Sequence, residues 1–205
     1  NTTADQNTAV GYLSLYSNTT GQYNAALGSG ALYSNTTGDR NTSMGINALY
    51  TNSTASNNSA FGANALGSNT TGDQNTAVGK DALTANTSSA NNTAVGFEAL
   101  DANTTGGANT AVGSGALGAN TTASDNIAVG FEAGEEITTG AANVVIGNYA
   151  LDGLTTGDNN TVMGYAALSA ATNASDNTAI GHQAMNANTA GDRNVAVGFD
   201  ALLNN

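Results

Sequence analysis

The chain contains no cysteine. That excludes disulfide staples and thiolate chemistry, and it fits an oxidising or a reducing compartment equally. Cations are nearly as scarce. Lys and Arg total 3 (Arg40, Lys80 and Arg193) against 15 Asp and Glu, for a net charge of −12. This balance speaks against nucleic acid, whose affinity comes from neutralising phosphates with cations. It speaks equally against an anionic membrane surface. No apolar run approaches the roughly 20 residues of a spanning helix, so no membrane segment is expected in this stretch. No secretory leader is visible, which places one outside this segment or already removed. The single His, His182, has no Cys or second His to form a familiar zinc set. The hairpin dipeptide Asn-Gly does not occur, and Asp-Gly occurs once, at Asp152-Gly153.

What is present is a repeat. An Asn recurs every 17 residues, at 7, 24, 41, 58, 75, 92, 109, 126, 143, 160, 177 and 194, and a Gly follows four residues later, from Gly11 to Gly198. A fixed period of this kind marks a solenoid, in which each copy is one rung and neighbouring rungs complete each other's core. Low hydrophobicity with excess Asn, Thr, Ser and Gly is compatible with disorder. A disordered tract, however, has no reason to hold an apolar residue in one place twelve times. The expected organisation is one structural domain over residues 1–205. It opens in half a rung at Asn1-Thr2-Thr3 and closes in the equivalent place at Asn205, which reads as an excerpt of a longer fibre chain or as ends covered by partners.

Counting slots of a rung from its Asn as zero, slot 3 is always apolar (Val10, Leu27, Met44, Phe61, Val78, Val95, Val112, Val129, Ile146, Met163, Ile180, Val197). Slot 1 is Thr in seven rungs and otherwise Ala, Ser, Ile or Val. Alternation puts slots 1 and 3 on one face of a strand over slots 0–3. The exchange of Thr for Ile and Val predicts that this face is at least half buried. Slot 4 Gly (Gly11, Gly28, Gly45, Gly62 and onward) implies a positive φ or an approach too close for a Cβ. Slots 7 and 8 read Ala-Leu in nine rungs, so Leu83, Leu100 and Leu117 belong to a second apolar ladder and a second short strand is expected there. Slots 11–14 read Asn-Thr-Thr-Gly or a relative, a turn composition. Because Ala55, Ser89, Ala123 and Ala174 replace the slot-14 Gly, a positive φ is not obligatory there.

Helical rungs are excluded, since slots 1, 3 and 8 trace no i, i+3, i+4, i+7 face and Gly, Asn and Thr form helices poorly. The fold expected is therefore all-β: a parallel β-solenoid of twelve rungs about 4.8 Å apart, roughly 55–60 Å long. The Asn column (Asn7, Asn24, Asn41, Asn58, Asn75, Asn92 and onward) is read as stacked amides, each donating to the next rung. Slot 11 repeats the device, interrupted by Ile137, Leu154 and Ala171, which predicts a drier corner there. Burying a Val or Leu gives about 1.5–3 kcal/mol, and ordering each residue costs about 1–2 kcal/mol of backbone entropy. The balance is thin for an isolated rod. Further burial between chains, through the small Ala of slot 2 or slot 7, is the expectation.

No catalytic or metal-binding residues are expected, and no cofactor. The acids are scattered, apart from the local cluster Glu132, Glu135 and Glu136, and they read as solvated charge that keeps rods apart. Carboxylate pairs for glycoside hydrolysis need a cleft that a uniform rod lacks. The aromatics are the candidate contact residues. Tyr16, Tyr33 and Tyr50 occupy slot 9 of the first three rungs and predict a short stacked ladder. Slot 5 carries Tyr12, Phe97, Phe131, Tyr165, His182 and Phe199, with Ser114 and Asn148 between. Adjacent rings would crowd, so alternation of large and small side chains lets them pack on a neighbouring chain or present a stripe to a glycan or protein. Sequons such as those at Asn18, Asn35, Asn69 and Asn103 matter only where the source glycosylates.

Val195-Ala196-Val197-Gly198, Ile127-Ala128-Val129-Gly130 and the many Asn-Thr-Ala-Val-Gly rungs resemble the head repeats of YadA-like trimeric autotransporter adhesins and related repeats of phage tail fibres and bacterial surface fibres. The resemblance spans all twelve rungs, which are longer than the family's usual ones by the Asn-Thr-Thr-Gly corner. It implies a left-handed parallel β-roll, three chains side by side, and exposure outside a cell or on a virion. It also implies adhesion to a host surface or matrix through repeated multivalent contacts, rather than catalysis. Two other readings stand beside it. One is a filament subunit that stacks end to end through open edges. The other is an ice-binding solenoid built on the slot-12 Thr column. Adjacent slots 12 and 13 would face opposite ways on a strand, which weakens the second.

Overall fold

A computed structural model describes residues 4–203; the half-rung segments read at Asn1-Thr2-Thr3 and Asn205, and Asn204, lie outside the described residues. Each rung contributes one three-residue strand at slots 1–3. In chain order these are β1 (Thr8–Val10), β2 (Ala25–Leu27), β3 (Thr42–Met44), β4 (Ser59–Phe61), β5 (Thr76–Val78), β6 (Thr93–Val95), β7 (Thr110–Val112), β8 (Ile127–Val129), β9 (Val144–Ile146), β10 (Thr161–Met163), β11 (Thr178–Ile180) and β12 (Val195–Val197). They form one parallel sheet in sequential order. The register is the repeat itself, so that Val78 stands opposite Val95 and Val95 opposite Val112. The chain is thus an all-β parallel solenoid, with no helix among the described residues.

The slot-1 and slot-3 face is more than half buried in the middle rungs, as expected, but the inside of the sheet is the slot-2 side, expected to meet a neighbouring chain. The slot-2 residue points inward: Ala60, Ala77, Ala94, Ala111 and Ala128 are fully buried, as are Val145 and Val162. The slot-7 Ala, from Ala31 to Ala184, is fully buried as well. Slots 1 and 3 do share a face, but it is the outer one. Val78, Val112 and Val129 keep 36–37% of their surface, and Val10 and Val197 more than half. Val95 is half-buried. The reason is room. In most rungs two Ala methyls, one Leu and the two corner Asn fill the tight 17-residue turn and leave no space for a slot-3 Val; Val145 and Val162 enter slot 2 in rungs where Leu154 and Ala171 replace a corner Asn. The small columns therefore make the core and do not mediate chain-to-chain approach.

The second strand is also absent among the described residues. Slots 5–10 form turns, and the slot-8 Leu column adopts left-handed backbone: Leu83, Leu100 and Leu117 have φ of 51°, 55° and 52° while being fully buried. That conformation costs an L-residue roughly 1–2 kcal/mol, an amount comparable to what full burial of Leu returns. Slots 6 and 16 are left-handed too, for example Asn47 (54°), Glu98 (53°) and Asp125 (62°). These corners still bond from rung to rung along the axis, as in Leu83 N–H to the Ala99 carbonyl at 3.1 Å and Thr70 N–H to the Thr87 carbonyl at 2.8 Å.

Slot 4 satisfies both explanations offered for its Gly. Gly11 to Gly198 have φ of 131–148°, a region open essentially to Gly alone, and a Cβ on Gly130 would stand 2.6 Å from the Gly147 carbonyl. The slot-14 glycines show no such φ, in keeping with the Ala and Ser that replace them.

The Asn columns are buried and bonded, though not by amides alone. In slot 0 the side-chain Oδ1 accepts the backbone N–H of the next Asn, as Asn75 accepts from Asn92 at 3.0 Å, while Nδ2 donates to the slot-14 carbonyl, as Asn126 does to Gly140 at 2.8 Å. Amide-to-amide stacking is the habit of slot 11, from Asn35→Asn18 (2.8 Å) to Asn103→Asn86 (3.2 Å). It ends at Asn103, whose Oδ1 is buried without a partner, and Asn120 bonds only to Ala123; beyond Asn120, Ile137, Leu154 and Ala171 are fully buried, the drier corner expected. There Gly134 takes the place of the core Leu, and the Ile137 side chain fills the vacancy. A Cβ on Gly134 would meet Ile137 Cδ1 at 2.9 Å.

Candidate functional site

With the interior given over to Ala, Leu and Asn, whatever this rod recognises must meet its surface. One corner carries slots 5, 6 and 9. In the first three rungs Tyr16, Tyr33 and Tyr50 stack along the axis, with ring centroids 5.4 and 4.9 Å apart and planes within 6°. The spacing is that of the rungs, so each ring rests on the next without distorting the backbone. Tyr16 is 63% exposed. Beside this ladder lies an open groove of about 170 Å³, bordered by Tyr12, Leu13, Ser29, Asn47, Tyr33 and Tyr50, with Gly30 within it.

The same corner bears a second ladder at the other end. Phe131, Tyr149 and Tyr165 meet edge to face, at 5.4 and 5.9 Å, because Tyr149 reaches across from slot 6 above the small Asn148. Tyr165, His182 and Phe199 then stack in three consecutive rungs at 5.3 and 5.0 Å. The expected crowding of adjacent slot-5 rings is therefore corrected: parallel stacking at the rung repeat is comfortable for planar groups. Phe97 sits apart, with the Lys80 ammonium 5.2 Å from its ring centre. Sequence patterning missed Tyr149, whose slot carries no other aromatic; only the side-chain reach reveals it.

Between the ladders the corner is acidic. Burial pushes the carboxyls of Asp101 and Asp152 up, with Glu98 adding repulsion at the first and Glu132 and Glu136 at the second. Burial also raises Glu135, helped by Glu132, Glu136 and Asp152. Asp81 is the reverse case. Its hydrogen bonds with Lys80 and then with Asn64 hold it below the usual carboxylate range. A carboxyl raised in the folded state penalises folding when ionised, and the penalty is relieved as pH falls through the raised value. Asp81 contributes stability above its unfolded value and loses it as pH falls through its own lowered one. Above the ordinary carboxylate range only the raised groups change charge, since Asp81 stays ionised there, so melting temperature should rise as pH is lowered from neutral toward that range. Asp101→Asn should flatten that rise, as read by circular dichroism melts at a series of pH values.

The slot-15 acids are not merely solvated charge. Asp39, Asp73, Asp158 and Asp192 each accept the backbone N–H of slot 15 in the preceding rung, at 2.7–2.8 Å. Ser56, Ser124 and Ser175 do the same at 3.0–3.1 Å. Arg40 lies over Tyr23, and Arg193 is 3.7 Å from Asp176. Among the described residues no three His, Asp or Glu side chains gather as a metal site.

No family model, curated protein or solved structure matches this chain. The sequons at Asn18, Asn35, Asn69 and Asn103 point into the rod, at most 1% exposed, with their amides bonded. In the folded rod they offer no glycan acceptor. Slots 12 and 13 do not form a strand and so do not face opposite ways: slot 13 is exposed in every described rung, and slot 12 is exposed or half-buried.

Proposed function

We propose that this chain is a stiff shaft or head segment of an extracellular surface fibre, whose rods associate side by side through the outer face of the sheet and adhere by repeated weak contacts. One observation carries the reading. Slots 1 and 3 run uncharged from Thr8 and Val10 to Val195 and Val197 on a chain of net charge −12, and several apolar members stay open to solvent, Leu27, Met44, Val112, Ile127 and Met163 among them. Contiguous apolar surface of that length marks an interaction face. An uncharged flat face is also where like-charged rods meet with least repulsion. Parallel rungs supply stiffness, and joined rods supply multivalency. The resemblance to trimeric adhesin heads fits three chains packed in this way.

Light scattering of the purified 20.1 kDa chain should give a multiple of the monomer mass. Val95→Lys with Val129→Lys, which places two charges on the face, should return it to monomer with unchanged circular dichroism. A wild-type monomer at micromolar concentration counts against side-by-side association, and rods that fail to attach to cells or matrix count against adhesion.

A second reading, ice binding, gains from one finding. Nine consecutive rungs expose a slot-13 hydroxyl, Thr20, Thr37, Thr54, Thr71, Ser88, Thr105, Thr122, Thr139 and Thr156, and beside them each slot-12 hydroxyl donates to the next rung's carbonyl, as Thr70 does to Thr87 at 2.8 Å. Thermal hysteresis in a freezing assay separates this reading from the first.

A further inference from the structure

We propose that the groove beside the tyrosine ladder is a subsite for one neutral sugar ring, an inference that rests on the adhesive reading and names its ligand. The tyrosines are not required by the repeat. Slot 9 holds Tyr only in the first three rungs, and elsewhere Gly67, Thr84, Asp101, Gly118, Glu135, Asp152, Ser169, Asn186 and Leu203 serve the same turn. Local chemistry that the fold does not demand points to recognition.

The groove exists because slot 6 of the second rung is Gly30. A Cβ there would stand 2.6 Å from Asn47 Oδ1 and 3.2 Å from the Tyr50 ring. It is a shallow recess of about 170 Å³ that is open to solvent on one side, suited to one small ring and not to a chain of them. Its border combines aromatic and apolar residues, Tyr12, Tyr33, Tyr50 and Leu13, with the neutral polar residues Ser29 and Asn47. Tyr12 is 75% exposed and free to cover a ligand. No carboxylate or cation borders the groove on a chain that carries 15 acids, so an ionic ligand has no partner there. A sugar matches this mixture, because its axial C–H face lies on aromatic carbon while its rim hydroxyls exchange hydrogen bonds with amides and hydroxyls. A site this small and open binds weakly, and a fibre multiplies it.

The test uses saturation-transfer NMR of the whole chain with the methyl pyranosides of glucose, galactose, mannose and N-acetylglucosamine. Transfer to at least one of them is expected, with shifts of the Tyr33 and Tyr50 ring signals. Gly30→Asn closes the groove in a slot where Asn47 and Asn64 already adopt φ of 54° and 56°, so the rod should fold as before and bind at least tenfold more weakly. Tyr33→Ser, copying Ser169 in its slot, should do the same. Absence of transfer to all four glycosides, or undiminished binding by Gly30→Asn, overturns the proposal. Attachment of rods to cells separates the two readings. Wild type and Gly30→Asn attaching equally removes the sugar site and leaves adhesion standing, whereas sugar binding without any attachment removes adhesion and leaves the site.

Discussion

Replacing Gly130 by Ala is expected to destabilise the middle of the rod by about 3–5 kcal/mol, the range of a strained backbone combined with a steric clash. At φ +141° the residue lies where L side chains do not go, and its new Cβ would be 2.6 Å from the carbonyl carbon and oxygen of Gly147. Neither fault can relax alone. Moving the Cβ away requires a new φ, and a new φ breaks the Gly130 N–H bond to the Val112 carbonyl at 2.8 Å. Ten residues on, Gly140→Ala is the control. A Cβ there would also overlap the next rung's carbonyl, but the backbone is not left-handed, and Ala55, Ser89, Ala123 and Ala174 show that the slot accepts a side chain. Its cost should be smaller than that of Gly130→Ala, because the rung can shift without a change of φ. Because each rung contacts only its neighbours, the damage from Gly130→Ala should be local. Hydrogen exchange should rise around β8 and β9 and leave β2 to β4 protected. Equal melting of the two variants would refute the assignment of slot 4 to a conformation only Gly adopts.

Asn126→Ala should be comparably severe. The side chain is fully buried, donates to the Gly140 carbonyl at 2.8 Å and accepts the Asn143 N–H at 2.9 Å. Removing it strands a buried acceptor and a buried donor, each costing about 1–3 kcal/mol. The comparison is Asn41→Ala. There the slot-14 carbonyl of Ala55 receives a second amide, from Asn52 at 3.0 Å, and keeps it when Asn41 is gone. At Asn126 the equivalent second amide is missing because slot 11 holds Ile137. Denaturant melts should therefore rank Asn126→Ala below Asn41→Ala, by about the cost of one stranded carbonyl. The opposite order would show that the two Asn columns do not share the load as their bonds indicate.

Both predictions turn on features of unequal legibility. A period of 17 with no insertion, together with an apolar residue at slot 3 and a Gly at slot 4 in every rung, was enough to specify parallel rungs in register. Val78 beside Val95 beside Val112 follows from identity of copies and needs no knowledge of a cross-section. The Tyr16, Tyr33 and Tyr50 stack follows from the same regularity. The groove does not. It depends on how far the slot-9 rings lean toward Gly30, which no spacing reports.

The sequence by itself determined that the chain is a stack, which slots form columns, and that slots 1 and 3 lie together against slot 2. Only the tertiary structure decided which of those faces is the inside. Alternation with period two assigns side chains to two faces but does not say which one meets water, and here both are apolar: Ala on one, Val and its relatives on the other. The width of the closed turn settles it. A ring of 17 residues has interior room for Ala77 and Leu83 but none for Val78 as well, so the bulkier face is left on the outside.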